Sequence, residues 1–130
     1  MMASLRPLIA GFAASFILGA SPARVAVTHV VRMEGSRFVP AAITIDRGDT
    51  VRFVMRSGGP HNVAFRDATG EAAARLRRVM PDTMSDLSGP LLIIPGDTYT
   101  IVFTDVPSGT HTYWCIPHLA GGMKGTITVR

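Results

Sequence analysis

The chain has only one cysteine among its 130 residues, so it lacks any intrachain disulfide. Small exported domains usually pair their cysteines, and an unpaired one indicates a reactive thiol or a metal ligand. Cys115 lies three residues before His118 and eight residues before Met123. This spacing favours a ligand role for the thiol over the alternative, a buried and inert cysteine.

A membrane-spanning helix needs an apolar run of about 20 residues, and the chain has no run of that length. Its apolar stretch from Leu8 to Gly19 follows Arg6 and precedes the small residues Ser21-Pro22-Ala23. This order is typical of a secretory signal peptide, and a membrane anchor is the alternative. We expect residues 1–23 to be cleaved off and residues 24–130 to form one domain, periplasmic or otherwise exported, with no transmembrane segment.

Concentrated charge is missing as well. Thirteen Lys and Arg residues against nine Asp and Glu residues give a net charge of +4, or +3 once Arg6 is removed with the leader. A nucleic-acid surface needs a basic stripe with aromatic platforms, and because the sequence has neither, we expect no nucleic-acid partner. A modest positive charge suits partner proteins with acidic docking surfaces, or anionic surfaces, since it affects the association rate and not the fold.

Motifs of common catalytic sites are absent. The sequence contains no Gly-x-Ser-x-Gly, no His-Glu-x-x-His and no Gly-rich phosphate loop. Further histidine clusters for a multicopper oxidase, and a second cysteine for a binuclear copper module, are missing too. We therefore expect a protein that is not an enzyme.

What the chain does contain is a compact set of metal ligands. Cys115, His118 and Met123 follow the spacing Cys-x2-His-x4-Met, and His61 lies upstream, after a Gly-Gly-Pro break. A thiolate, two imidazoles and a weak axial thioether form the ligand set of a mononuclear electron-transfer copper site. We predict that these four residues bind one type 1 copper ion, which alternates between Cu(I) and Cu(II).

The other histidines and methionines are not expected to bind this ion. His29 is far from the ligands in sequence, and His111 is separated from Cys115 by four strand residues, or about 13 Å. Core or loop positions are predicted for the remaining methionines of the domain, which are Met33, Met55, Met80 and Met84.

Short β-branched segments between Gly and Pro turns predict an all-β sandwich. We predict strands at 25–33, 41–45, 50–56, 63–65, 91–94, 98–104, 110–115 and 124–130, with 91–94 and 98–104 paired as a hairpin. Residues 66–90 interrupt this pattern. Their Ala-, Leu- and Arg-rich part, residues 70–80, predicts a short helical excursion that begins near Asp67 or Thr69 and ends at Pro81.

The segment from Tyr113 to Val129 resembles the copper loop and last strand of plastocyanin-type blue copper proteins, and Pro60 to Phe65 is similar to their upstream histidine segment. With the early strands around Phe38 and Ile43–Phe53, the resemblance extends over residues 25–130. It identifies the chain as a member of the cupredoxin family.

The cupredoxin resemblance implies a Greek-key β-sandwich that shuttles single electrons between redox proteins. It also implies that Asn62 ties the two ligand loops together near the cysteine sulfur. We expect a monomer. Two alternatives stay open, which are a periplasmic copper carrier or buffer without an electron-transfer role and a sandwich that has lost its metal. Plant plastocyanins carry acidic patches, which this basic chain lacks, and this difference argues against a photosynthetic role.

Overall fold

The computed structural model describes residues 15, 16 and 18–130. The predicted signal peptide therefore lies largely outside the described residues. Within the described part of the chain, no helix is both long enough and apolar enough to cross a membrane.

Seven strands form two facing sheets. They are β1 (Thr28–Glu34), β2 (Arg37–Val39), β3 (Ala42–Ile45), β4 (Thr50–Met55), β5 (Thr98–Val102), β6 (Gly109–Trp114) and β7 (Lys124–Val129). The first sheet has the order β2-β1-β4-β5 and the second the order β3-β7-β6. Each sheet contains one parallel pair, β1 with β4 and β3 with β7. This arrangement confirms the predicted all-β sandwich.

The core forms because side chains of alternate residues point to the same face of a strand. In β4, Val51, Phe53 and Met55 are buried, whereas Arg52 between them is exposed. The same alternation in β6 buries Tyr113 and Cys115 together. Cys115 directly follows β6 and lies in line with the buried side chains of that strand.

An aromatic cluster fills the core beneath Cys115. The Tyr113 ring lies 4.7 Å from Phe38, 5.3 Å from Phe53 and 5.7 Å from Phe65, measured between ring centroids. The contacts with Phe38 and Phe53 are edge-to-face, and such pairs add about 0.5–1.5 kcal/mol each to the burial of the rings. The cluster gives the strand that leads to Cys115 a rigid support.

The predicted helix is confirmed as α1 (Gly70–Val79). Thr69 occupies the N-cap position, and Met80 ends the helix before Pro81. Ala73 and Leu76 are its buried residues, which pack the helix onto the sandwich.

Two strand predictions are wrong in detail. The hairpin of 91–94 with 98–104 does not form, because Leu92 pairs with His61 instead and the Asp97 carboxylate accepts the backbone N–H groups of Ile93 and Ile94. Residues 63–65 form no continuous strand, since only Ala64 makes a β-bridge there. The three-residue strand β2 was not predicted.

Candidate metal centre

The loop after β6 brings three of the predicted ligands onto one turn. Cys115 precedes a short 3-10 segment, Ile116–Gly121, and its backbone N–H donates to the Met123 carbonyl at 3.0 Å. Gly122 makes the return possible, because its φ of 72° is a conformation that glycine adopts without steric cost. The loop thus closes on itself, with Cys115 and Met123 side by side at its base.

His61 reaches the same point from a separate segment, which pairs with the end of β6 through Ala64 and Trp114. Its backbone N–H and C=O both pair with Leu92, at 3.0 and 2.7 Å. Its side chain is fully buried, and Nε2 lies 2.7 Å from the carbonyl oxygen of Ser57. Because a carbonyl oxygen only accepts, Nε2 carries the proton, and Nδ1 keeps a free lone pair.

Three ligand atoms converge on one small space. The Cys115 Sγ lies 3.6 Å from His61 Nδ1 and 3.4 Å from His118 Nδ1. All three atoms are within 4.8 Å of one another, the one such group in the described part of the chain. In a trigonal site with metal–sulfur and metal–nitrogen bonds of about 2.3 and 2.0 Å, sulfur and nitrogen are about 3.7 Å apart. The residues present therefore fit a copper ion.

Burial and hydrogen bonding act in opposite directions on the Cys115 thiol. Burial raises its pKa, whereas the backbone N–H groups of Asn62 and His118 lower it. Burial is also the main reason why the pKa of His61 is lowered, which favours the neutral imidazole that a metal requires. A bound cation offsets the burial of the thiolate, since it deprotonates a coordinating thiol.

Asn62 connects three segments around the site. Its Oδ1 accepts the Ile116 backbone N–H at 2.8 Å, and its Nδ2 donates to Ser88 Oγ at 3.0 Å and to the Gly89 carbonyl at 3.3 Å. The side chain is buried. No sequence pattern indicates that Ser57, Ser88 and Gly89 support the site, because their contacts arise only when distant loops meet.

Met123 and His118 differ in exposure. Met123 is buried, whereas His118 is half-buried and has exposed Pro117 and Ala120 beside it. One imidazole edge therefore faces outward from an uncharged part of the surface. The two remaining histidines bind elsewhere, His29 to Asp49 at 2.8 Å and His111 to the Pro107 carbonyl at 2.8 Å.

The methionines that were predicted as fillers also lie in such positions. Met33, Met55 and Met80 are buried in the core, and Met84 is an exposed loop residue.

Comparisons with known proteins agree with this geometry. Residues 25–130 match the model of the copper-binding proteins of the plastocyanin/azurin family. Plastocyanin from Prochlorothrix hollandica is 37% identical, over 97% of this chain and 88% of that one, and plastocyanin from Synechococcus is 34% identical, over 94% and 85%.

Solved structures give the same result. An oxidised plastocyanin from Dryopteris crassirhizoma has a TM-score of 0.60 and 28% identity, over 78% of this chain and all of that one. A reduced amicyanin variant has a TM-score of 0.57 and 26% identity, over 79% and 82%.

Proposed function

The chain belongs to the plastocyanin/azurin family of copper-binding proteins, and we propose that it is an exported carrier of single electrons between redox partner proteins. Its family makes it a copper electron-transfer protein and not an enzyme. The observation that carries the proposal is the buried thiol of Cys115, with the Nδ1 atoms of two imidazoles within 3.6 Å of its sulfur. We assign His61, Cys115, His118 and Met123 as the copper ligands.

Copper bound at this site supplies a one-electron couple between Cu(I) and Cu(II). The chain's own part is to hold the ligands still. Ser57 and Leu92 fix His61, and Asn62 fixes the start of the Cys115 loop. A site held in one geometry suits both oxidation states and needs little rearrangement when an electron arrives or leaves. Burial of the thiol also excludes water from the sulfur.

His118 is the proposed exit and entry point for electrons. It is the one ligand of the four that is not buried. The residues around its imidazole carry no charge, and Ile116 beside it is 41% exposed. An apolar, uncharged rim allows brief docking and quick release. The net positive charge of the whole chain supports partners with acidic docking surfaces, and we propose that the carrier itself is monomeric.

The ion pairs of Arg24, the residue that follows the expected cleavage site, support export. Arg24 forms ion pairs with Asp46 and Asp49, both at 2.7 Å. The described residues just before it are exposed. Cleavage after Ala23 therefore leaves the anchored Arg24 as the first residue. Mass spectrometry of the protein from the exporting cell is expected to give residues 24–130, and a longer chain contradicts this site.

Visible absorption spectroscopy and voltammetry of the copper-loaded protein test the function. We expect one copper per chain, intense blue colour in the oxidised form and a reversible one-electron wave. Cys115→Ser is expected to remove the colour, whereas Met84→Ser, a matched change at an exposed loop residue, is expected to keep it. A colourless protein whose copper passes readily to a chelator would instead be a copper carrier.

A further inference from the structure

Part of β6 has an open backbone edge. On this side of the strand, Trp114 exchanges two hydrogen bonds with Ala64, N–H to C=O in both directions, each 2.8 Å long. Backbone groups of alternate residues point to the same side of a strand. The N–H and C=O groups of Thr112 and Thr110 therefore face the same side as those of Trp114. Among the described residues, none bonds to these four groups.

A cleft runs along this open edge. The chain turns away from β6 after Phe65 and returns only as the start of α1, which leaves a space of about 410 Å³. Residues 107–112 form one wall, and residues 67–72, at the beginning of the helix, form the other. The edge of a sheet thus lies opposite a helix, with room for another piece of chain between them.

We propose that this cleft binds an extended segment of a partner protein, which adds to the sheet as a strand beside β6. Such strand addition takes its affinity from main-chain hydrogen bonds and its specificity from alternate side chains. A segment of about four residues, at about 3.3 Å per residue, covers both threonines. The segment extends the pairing that Ala64 makes with Trp114, and it forms hydrogen bonds with the N–H and C=O groups of Thr110 and Thr112.

The walls indicate the charge of the segment. Asp67 and Glu71 line the cleft, and neither lysine nor arginine does. Both carboxylates are exposed, although Asp67 also accepts the Trp114 indole N–H at 2.6 Å. Glu71 is paired with Arg75 at 3.5 Å, so Asp67 is the carboxylate of the cleft that no cation among the described residues offsets. Its full negative charge exceeds the about half a positive charge at the start of α1. The segment is therefore expected to carry a lysine or an arginine.

Two arginines lie beside the cleft, Arg75 on the helix wall, where it pairs with Glu71 at 3.5 Å, and Arg47 at the end of the cleft near Ser108. Arg47 reaches Ser108 there, with 3.4 Å between the guanidinium and the hydroxyl. The basic side chain of the segment is accordingly placed near Asp67, at the end closer to β6's Trp114. Thr112 lies three residues before Cys115, or about 10 Å along the strand, so that the segment leaves the His118 surface free. The inference does not depend on copper binding.

One substitution at each wall of the cleft is designed to block segment binding and to leave the rest of the fold unchanged. Thr112→Pro removes an outward-facing N–H, and proline is tolerated at such edge positions. The ladder with β7 uses His111 and Tyr113 and is kept. Ala72→Trp fills the cleft from the helix side and leaves the residues of the strand unchanged. Ala74→Trp, at an exposed position of the same helix, is the matched control.

The test pans a phage-displayed library of random decapeptides against the copper-loaded protein, after depletion on Thr112→Pro. We expect enriched decapeptides to contain a basic residue in an extended stretch. The best of them should shift the NMR amide signals of Thr110 and Thr112 in a saturable way. Its affinity should fall at least tenfold in Thr112→Pro and in Ala72→Trp, and should be unchanged in Ala74→Trp. Should Thr112→Pro not fold, Ala72→Trp serves for both steps.

Several results would overturn the proposal. They are a lack of enriched decapeptides, enrichment of acidic ones, or shifts confined to the Ile116–Gly121 turn. Amide shifts at Thr112 that depend on protein concentration without any peptide would show that a second copy of the chain occupies the edge, and would equally reject a partner segment.

Discussion

Removal of the Asn62 side chain tests how the metal site is held together. In Asn62→Ala, the Ile116 N–H loses its acceptor, and Ser88 and Gly89 lose their common donor. Nothing in the described surroundings replaces these three contacts. The ligand loop that starts at Cys115 then loses its side-chain link to the loop of residues 85–89, and only the backbone pairing through Ala64 still connects them.

The expected loss follows from the number of contacts. Each hydrogen bond contributes about 0.5–1.5 kcal/mol, and a buried donor left without a partner costs about 1–3 kcal/mol. We therefore expect Asn62→Ala to lower the free energy of unfolding by about 2–4 kcal/mol. Ser88→Ala removes one contact only and is expected to cost about 1 kcal/mol. Asn62→Asp keeps the acceptor for Ile116, but it buries a carboxylate with one oxygen against the Gly89 carbonyl oxygen. It is therefore expected to cost at least as much as Asn62→Ala at neutral pH.

Urea denaturation of the metal-free protein measures these differences, and it does so without any contribution from copper binding. In the copper-loaded protein, transfer of the metal to a chelator should be faster in Asn62→Ala than in Ser88→Ala. The reasoning is refuted if Asn62→Ala costs less than Ser88→Ala, or if metal transfer is equally fast in both.

Three further predictions concern single side chains. The Tyr113 hydroxyl is buried and has no hydrogen-bond partner among the described residues, so Tyr113→Phe should raise the free energy of unfolding by about 1 kcal/mol; a lower value in urea denaturation would show that the hydroxyl is satisfied. Met123→Gln replaces a weak thioether by a harder oxygen donor and should lower the reduction potential in voltammetry; an unchanged potential would show that Met123 is not a ligand. Arg24, as the largest cause, holds the pKa of Asp49 far below its usual range. The Asp49 charge therefore stabilises the fold above about pH 4 and progressively less as the pH falls, so Asp49→Asn should be less stable at pH 7 and lose less of its stability on acidification; parallel pH curves in denaturation experiments would contradict this.

Sequence reasoning found the helix and the contiguous part of the metal site because both depend on local information. The Cys-x2-His-x4-Met spacing lies on one loop, and the glycine that closes the loop, Gly122, is part of the same segment. Helix α1 could be predicted from composition, and the proline after Met80 marks its end. Neither feature needs a partner from elsewhere in the chain.

Sequence reasoning failed where pairing partners compete. Residues 91–94 have the composition of a strand, but Asp97 ties down two of their N–H groups, and Leu92 pairs with His61. The strand β2 is only three residues long, too short to give a pattern. Which strands pair depends on the free energy of the whole sandwich, and this cannot be calculated from a single segment of the sequence.

By itself, the sequence determined the ligand types, their order and the β-class of the fold, because alternation and spacing are properties of the chain. The tertiary structure alone decided that His61 meets Cys115 across 54 positions at 3.6 Å, and that Ser57 sets the tautomer of its ring. It alone decided that the edge of β6 stays open below Trp114. These features arise when distant segments pack together, and distances between such segments are fixed by packing and not by sequence separation.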